Sequence, residues 1–180
     1  MTAVAQGELA LMGELYERRH RSLFRFFVRL TGRQSISEDL THEVFLRMLR
    51  YRQTYSTVSR DEKGFEAWMY RIARNAYADH GRKNYRESTT EETFEFLESG
   101  SPSPFDSASR KQETALLHRA LKVMSPERRE LLVLTRFQGL SHEQAGRILG
   151  CEANTVKVRV FRAMREISKI YQTLQREKAS

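Results

Sequence analysis

The chain has 180 residues, 39% of them hydrophobic and 30% charged, with a formal net charge of +8. That length holds one ordinary domain or two small ones, and the basic balance favours a polyanionic partner. The lone cysteine, Cys151, excludes an intramolecular disulfide framework and a multi-cysteine zinc site, and no apolar run approaches the roughly 20 residues of a membrane helix.

The N-terminus carries early acids and no basic stretch before an apolar core, so it does not read as a secretion signal. Together with the single cysteine, this is compatible with a reducing cytoplasm. Charge is unevenly distributed. Met1 to Arg86 holds 16 Lys/Arg against 10 Asp/Glu, Glu87 to Ser109 holds 6 acids and no base, and Arg110 to Ser180 holds 15 against 7. Two basic segments flank an acidic one.

The first helical pattern runs from about Glu8 to Leu30, with Leu11, Leu15, Leu23, Phe26, Phe27 and Leu30 on its apolar side, and Gly32 ends it. Ser35 with Glu38 fits a capping box for the next helix, or Ser37 caps it. Leu40, Val44, Phe45, Met48 and Leu49 then repeat at three and four. Tyr51 to Lys63 has no clear period and reads as a loop with short turns. Phe65 to Lys83 is a third helix, buried along Phe65, Trp68, Met69, Ile72 and Ala76. Arg71, Asn75, Ala78 and Arg82 make another face, with Arg74 nearby. Aromatics interleaved with cations suit single-stranded nucleic acid, where bases stack and phosphates are neutralised. Trp68, with Ile72 four residues on, reads as at least partly core.

Glu87 to Ser109 is rich in Ser, Thr, Pro and Gly as well as acidic, which predicts a flexible linker between two small helical domains. The domains are expected at residues 8–86 and 110–175, separated by residues 87–109. Leu116, Leu117, Ala120, Leu121 and Met124 form an amphipathic helix. Ser125, Pro126 and Glu127 start another, carrying Leu131, Val133, Leu134 and Phe137, and Gly139 closes it.

Leu140 to Ile167 reads as two helices joined by a tight turn. Ser141 and Gln144 make a capping box, and Ala145, Ile148 and Leu149 an apolar face. Gly150 stands where a helix ends with positive φ. Asn154 is a good cap for the second helix, whose buried stripe is Val156, Val160, Ala163 and Ile167. The opposite face carries Thr155, Val158, Arg162 and Arg165, flanked by Lys157 and Arg159. This is the layout of a helix-turn-helix whose second helix enters the major groove, with arginines for guanine edges or phosphates and Val158 for a thymine methyl. Gly146 weakens the first of these helices unless it permits close packing on a neighbour.

No catalytic constellation is present. His20, His42, His80, His118 and His142 are scattered without metal-ligand spacing, and there is no phosphate-binding Gly-rich loop. The reading is an all-α protein that is not an enzyme and needs no cofactor.

SEDLTHEVFLR from Ser37, FEAWMYRIARN from Phe65 and the helix-turn-helix, in that order, resemble the extracytoplasmic-function (ECF) group of bacterial RNA polymerase sigma factors, within the sigma-70 family. The resemblance covers about Leu15 to Ile170. It implies that the first domain is region 2, contacting core RNA polymerase with Asp39, Glu43, Phe45 and Arg47. The third helix would capture the melted non-template strand of the −10 promoter element with Trp68, Arg71, Arg74, Asn75, Arg82 and Lys83. The second domain would be region 4, reading the −35 duplex with Asn154, Thr155, Lys157, Val158, Arg159, Arg162 and Arg165. The acidic linker would thread toward the RNA exit path. An anti-sigma protein is a further implied partner. A stand-alone helix-turn-helix regulator remains the alternative, although it leaves the first domain without a role.

Overall fold

The computed structural model describes residues 1–55, 62–87 and 104–179. Among the described residues every regular element is helical. The chain forms α1 (Thr2–Ala5), α2 (Leu11–Thr31), α3 (Gln34–Arg50), a 3₁₀ turn (Arg52–Thr54), α4 (Glu62–Glu87), α5 (Pro104–Val123), α6 (Pro126–Leu132), a π-helical turn (Val133–Phe137), α7 (His142–Leu149) and α8 (Ala153–Ala179).

Helices α2, α3 and α4 make the first domain. Gly32, at φ 71°, closes α2 and returns its N–H to Val28 O, a left-handed turn that suits glycine. The start of α3 differs from both capping schemes read from the sequence. Arg33 is the cap position and makes no side-chain cap bond, while Ser37 lies buried inside the first turns. The hydroxyl of Thr31 accepts the Arg33 N–H at 3.0 Å and meets Ser37 Oγ at 2.9 Å, so the connection is organised from the preceding helix. The core gathers Leu23, Phe26, Phe27 and Leu30 of α2 with Leu40, Val44 and Met48 of α3 and Met69, Ile72 and Ala73 of α4. Burying a side chain of this size stabilises by about 1.5–3 kcal/mol, so these residues fix the three helices together.

Helices α5 to α8 make the second domain. α5 begins at Pro104, six residues before the boundary expected from composition; proline at a helix start loses no hydrogen bond, because its missing N–H is one of the unpaired ones. Residues 88–103 of the expected linker lie outside the described residues. Ala120, Leu121 and Met124 of α5, Leu131 and Leu132 of α6, Ala145 of α7 and Val156, Val160, Ala163 and Ile167 of α8 share one core.

The two domains are packed together. In the run Leu131 to Leu134 all four side chains are buried, and they point two ways: Leu131 and Leu132 belong to the core of the second domain, Val133 and Leu134 to that of the first. At about 100° per residue, consecutive positions of a helix lying between two cores face them in turn, and a π-turn follows, with the Gln138 N–H bonded to Val133 O at 3.0 Å. Leu140 and Ile148 also join the first core.

Candidate nucleic-acid interface

Helix α8 presents the more sharply defined surface. Its partner α7 carries the complete capping box, with Ser141 Oγ accepting the Gln144 N–H and Gln144 Oε1 accepting the Ser141 N–H at 2.8 Å. Gly150, at φ 70°, ends α7 in the left-handed region. The chain then folds back over α7, and Cys151 donates its N–H to Gly146 O at 3.0 Å. α8 starts at Ala153, its first bond running from Val156 N–H to Glu152 O, so Asn154 lies within the first turn rather than at the cap.

With Val156, Val160, Ala163 and Ile167 buried, helical geometry turns Lys157, Val158, Arg159, Arg162 and Arg165 outward, and all five are exposed. Asn154 is exposed at the N-terminal end of this face, and Thr155 is half-buried beside it. Among the described residues Lys157, Arg159 and Arg162 have no carboxylate partner. Phe161, 64% exposed, was not among the sequence candidates, yet it lies between Val158 and Arg165, whose guanidinium is 6.0 Å from its ring centre. The signal was available: Phe161 is an apolar residue off the buried stripe. A convex face of three unpaired cations, Val158 and Phe161 can meet phosphates, base edges and thymine methyls.

The first domain offers a second basic face along α4. Trp68 is half-buried, edge-on to Tyr55 at 5.2 Å and tilted against Phe65 at 6.4 Å, so this cluster packs Tyr55 against the first turns of α4. Arg71, Asn75 and Arg82 are exposed on one side of the helix. Arg82 pairs with Asp79, which also accepts from Arg47 Nη1 at 2.6 Å. These hydrogen bonds, Arg47's first, hold the Asp79 carboxyl below its ordinary range. The side chain of Lys83 lies outside the described residues.

Arg74 departs from this group. It turns toward the second domain, where its Nε donates to Glu130 Oε1 at 3.1 Å and its Nη1 approaches Ile148 O at 3.5 Å. Burial pushes the Glu130 carboxyl up despite the opposing effect of Arg74, so the pair is held in a costly environment. Between Arg74 and α6 lies a cleft of about 660 Å³, bordered by Asn75, Asp79 and Arg82 on one side and Pro126 and Glu127 on the other.

The four residues expected to contact polymerase are divided by α3. Asp39 is exposed and Glu43 half-buried. Phe45 is only 7% exposed and packs on Tyr16 at 4.8 Å, so it serves the core and offers no contact surface. Arg47 bridges Glu43 and Asp79, tying α3 to α4. Leu46, which periodicity had not singled out, is 60% exposed and shares the outward side with Asp39 and His42.

Two exposed basic faces thus lie on two packed helical domains, one of them on a helix-turn-helix. The family assignment follows from comparison with known proteins. Residues 15–87 match the sigma-70 region 2 family and residues 114–167 the sigma-70 region 4 family. The chain belongs to the sigma-70 family. Over 167 residues, 91% of this chain, it is 34% identical to the ECF RNA polymerase sigma factor BldN of Streptomyces coelicolor, and over 168 residues 32% identical to SigE of Mycolicibacterium smegmatis. It spans 61% and 63% of the length of these two relatives. It is 28% identical to the sigma-H factor of Pseudomonas aeruginosa, covering 97% of this chain and 93% of that one. The fold is similar to that of the sigma factor RpoE of Bartonella quintana, solved with the anti-sigma factor NepR, at a TM-score of 0.70 and 23% identity over 89% of this chain and 96% of that one. No helix among the described residues is long and apolar enough to cross a membrane.

Proposed function

We propose that this protein is an alternative sigma factor of the ECF group, which binds core RNA polymerase, directs it to particular promoters and promotes strand opening at the −10 element. The observation that carries this reading is the pair of exposed basic faces, on α4 and α8, held in the family order on one chain. α8 reads the −35 duplex, with Arg162 and Arg165 available to base edges or phosphates and Val158 and Phe161 to thymine methyls. The Trp68, Arg71, Asn75 and Arg82 side of α4 receives the unpaired strand. Polymerase docks on the outward side of α3, through Asp39 and Leu46.

The protein contributes binding free energy and no covalent chemistry. Holding the unpaired strand lowers the free energy of the open state, so opening is favoured only on the holoenzyme. Its place of action is the cytoplasm, with polymerase. An anti-sigma protein is the regulator suggested by the RpoE–NepR complex. The test is gel filtration with sigma-free core RNA polymerase, followed by promoter-dependent run-off transcription. A stoichiometric complex and a specific transcript are expected. A folded chain that forms no complex, yet binds a specific duplex tightly alone, would instead be a stand-alone helix-turn-helix regulator.

A further inference from the structure

The segment before α2 precedes the residues matched to region 2, and yet it is folded. α1 packs against α2 and against the Arg52–Thr54 turn, and its Val4 is fully buried. Two bonds close a Schellman turn after it, from the Gly7 N–H to Val4 O at 3.2 Å and from the Glu8 N–H to Ala3 O at 3.0 Å. A helix of 4 residues has no stability of its own in water, so it is held by the burial of Val4. Val4 is nevertheless not a member of the cluster in which α2, α3 and α4 meet, so that core is complete without it.

What α1 touches is the start of the connection from α3 to α4. The turn beside it is tied at each step. Arg52 Nη1 donates to Leu49 O at 2.9 Å, Thr54 Oγ1 to Tyr51 O at 2.7 Å, and the Tyr55 N–H to Arg52 O at 3.2 Å. A shift of the turn is therefore passed on to Tyr55. The buried Tyr55 ring stands edge-on to Phe65 at 6.3 Å and to Trp68 at 5.2 Å. Trp68 itself is only half-buried, and its ring can stack on a base only if its face is presented in a fixed orientation.

We propose that α1 braces the strand-receiving face. Val4 holds the Arg52–Thr54 turn in place and, through Tyr55, holds the ring of Trp68 in the orientation that stacks on an unpaired base of the −10 strand. Val4 is thus a positioning residue: it touches no nucleic acid and acts through the turn. This rests on the reading of α4 as the face that receives the melted strand.

Trp68 is the single tryptophan of the chain, so its fluorescence reports on this cluster alone. Val4→Asp sets an unpaired carboxylate in an apolar site and should release α1. Acrylamide quenching of Trp68 in the free protein should then rise and its emission shift to the red, while the helical circular dichroism is kept. In holoenzyme reconstituted with core polymerase, preference for a fluorescent single strand carrying the −10 element of the run-off promoter, over a scrambled strand, should fall several-fold. Affinity for core polymerase should stay as it was, whereas general unfolding would lower both. Val4→Ile keeps the apolar contact and should behave as the unaltered chain. Unchanged quenching or unchanged strand preference in folded Val4→Asp overturns the proposal; if that variant does not fold, Val4→Ala is measured in the same two ways and decides. Should the unaltered chain form no complex with core polymerase, the sigma-factor reading falls, and quenching of Trp68 in the free protein still decides whether α1 holds the turn.

Discussion

A Cβ atom built on Gly146 would stand 2.5 Å from the backbone oxygen of Cys151. Gly146 lies inside α7, where alanine ordinarily gains about 1 kcal/mol over glycine. Here the turn after Gly150 folds across that position, and the atom in the way is backbone, which cannot rotate aside. Gly146→Ala should therefore destabilise by about 1–3 kcal/mol, the usual range for overpacking. It should also weaken binding to a −35 duplex, since the turn sets the angle of α8. Thermal melting of the two proteins decides; an equal or higher Tm for the variant would mean the turn relaxes freely.

Neighbouring residues Phe45 and Leu46 should behave oppositely. Phe45→Ala empties a core position and is expected to lose about 3–5 kcal/mol of stability. Leu46→Asp changes an exposed residue, so stability should stay within about 0.5 kcal/mol. Co-purification with core polymerase should be lost in Leu46→Asp at full helical content. Retained binding would move the docking surface away from this side of α3.

Arg162→Ala separates two kinds of DNA contact. If Arg162 reads a base, affinity falls by about 1–3 kcal/mol and discrimination relaxes at one position of the −35 element. An equal loss across all duplexes, with a salt slope shallower by about one, marks a phosphate contact. Binding curves on a set of single-base variants at two salt concentrations tell these apart.

Two titrations act on stability from the acid side. Burial, with the Arg29 guanidinium nearby, holds His118 below its ordinary 6.5, so the folded state binds fewer protons than the unfolded chain. The contribution is present above pH 6.5 and is lost as pH falls through the lowered folded value. His118→Gln should flatten that part of the Tm-against-pH curve; an unaltered slope would assign the loss to other groups. Asp79 gives a second step. The Arg47 hydrogen bond depresses it below 3.8, and its contribution, present above that pH, fades as pH drops through the folded value. Both side chains are partly exposed, so Arg47→Ala should cost no more than about 1 kcal/mol at neutral pH and shrink this step, leaving the part that the Arg82 pair with Asp79 supplies.

How much of this was readable from residues alone depends on the range of the interaction. The capping box at Ser141, the left-handed Gly150 and the α8 stripe are set by neighbours three to seven residues apart, and periodicity finds them. The exposed side of α4 at Arg71, Asn75 and Arg82 was legible for the same reason. The engagement of Arg74 by Glu130 and of Arg129 by Leu30 joins residues 56 and 99 positions apart, and no local pattern encodes such pairs. Leu131 to Leu134 confused the reading in another way. A helix buried between two domains is apolar on more than one side, so its period fades, and the run looked like the core of one domain only. Thr31 went unnoticed as an organiser of α3 because it belongs to the helix before.

The same four-residue run bears on how this molecule can be divided. A fragment holding α5 to α8 alone would present Val133, Leu134, Leu140 and Ile148 to water as a contiguous oily patch, the kind of surface that makes excised pieces clump. Laboratory dissection into two half-proteins, natural as it looks from the helix count, therefore calls for polar replacements at Val133 and Leu134 before the second half is expressed alone.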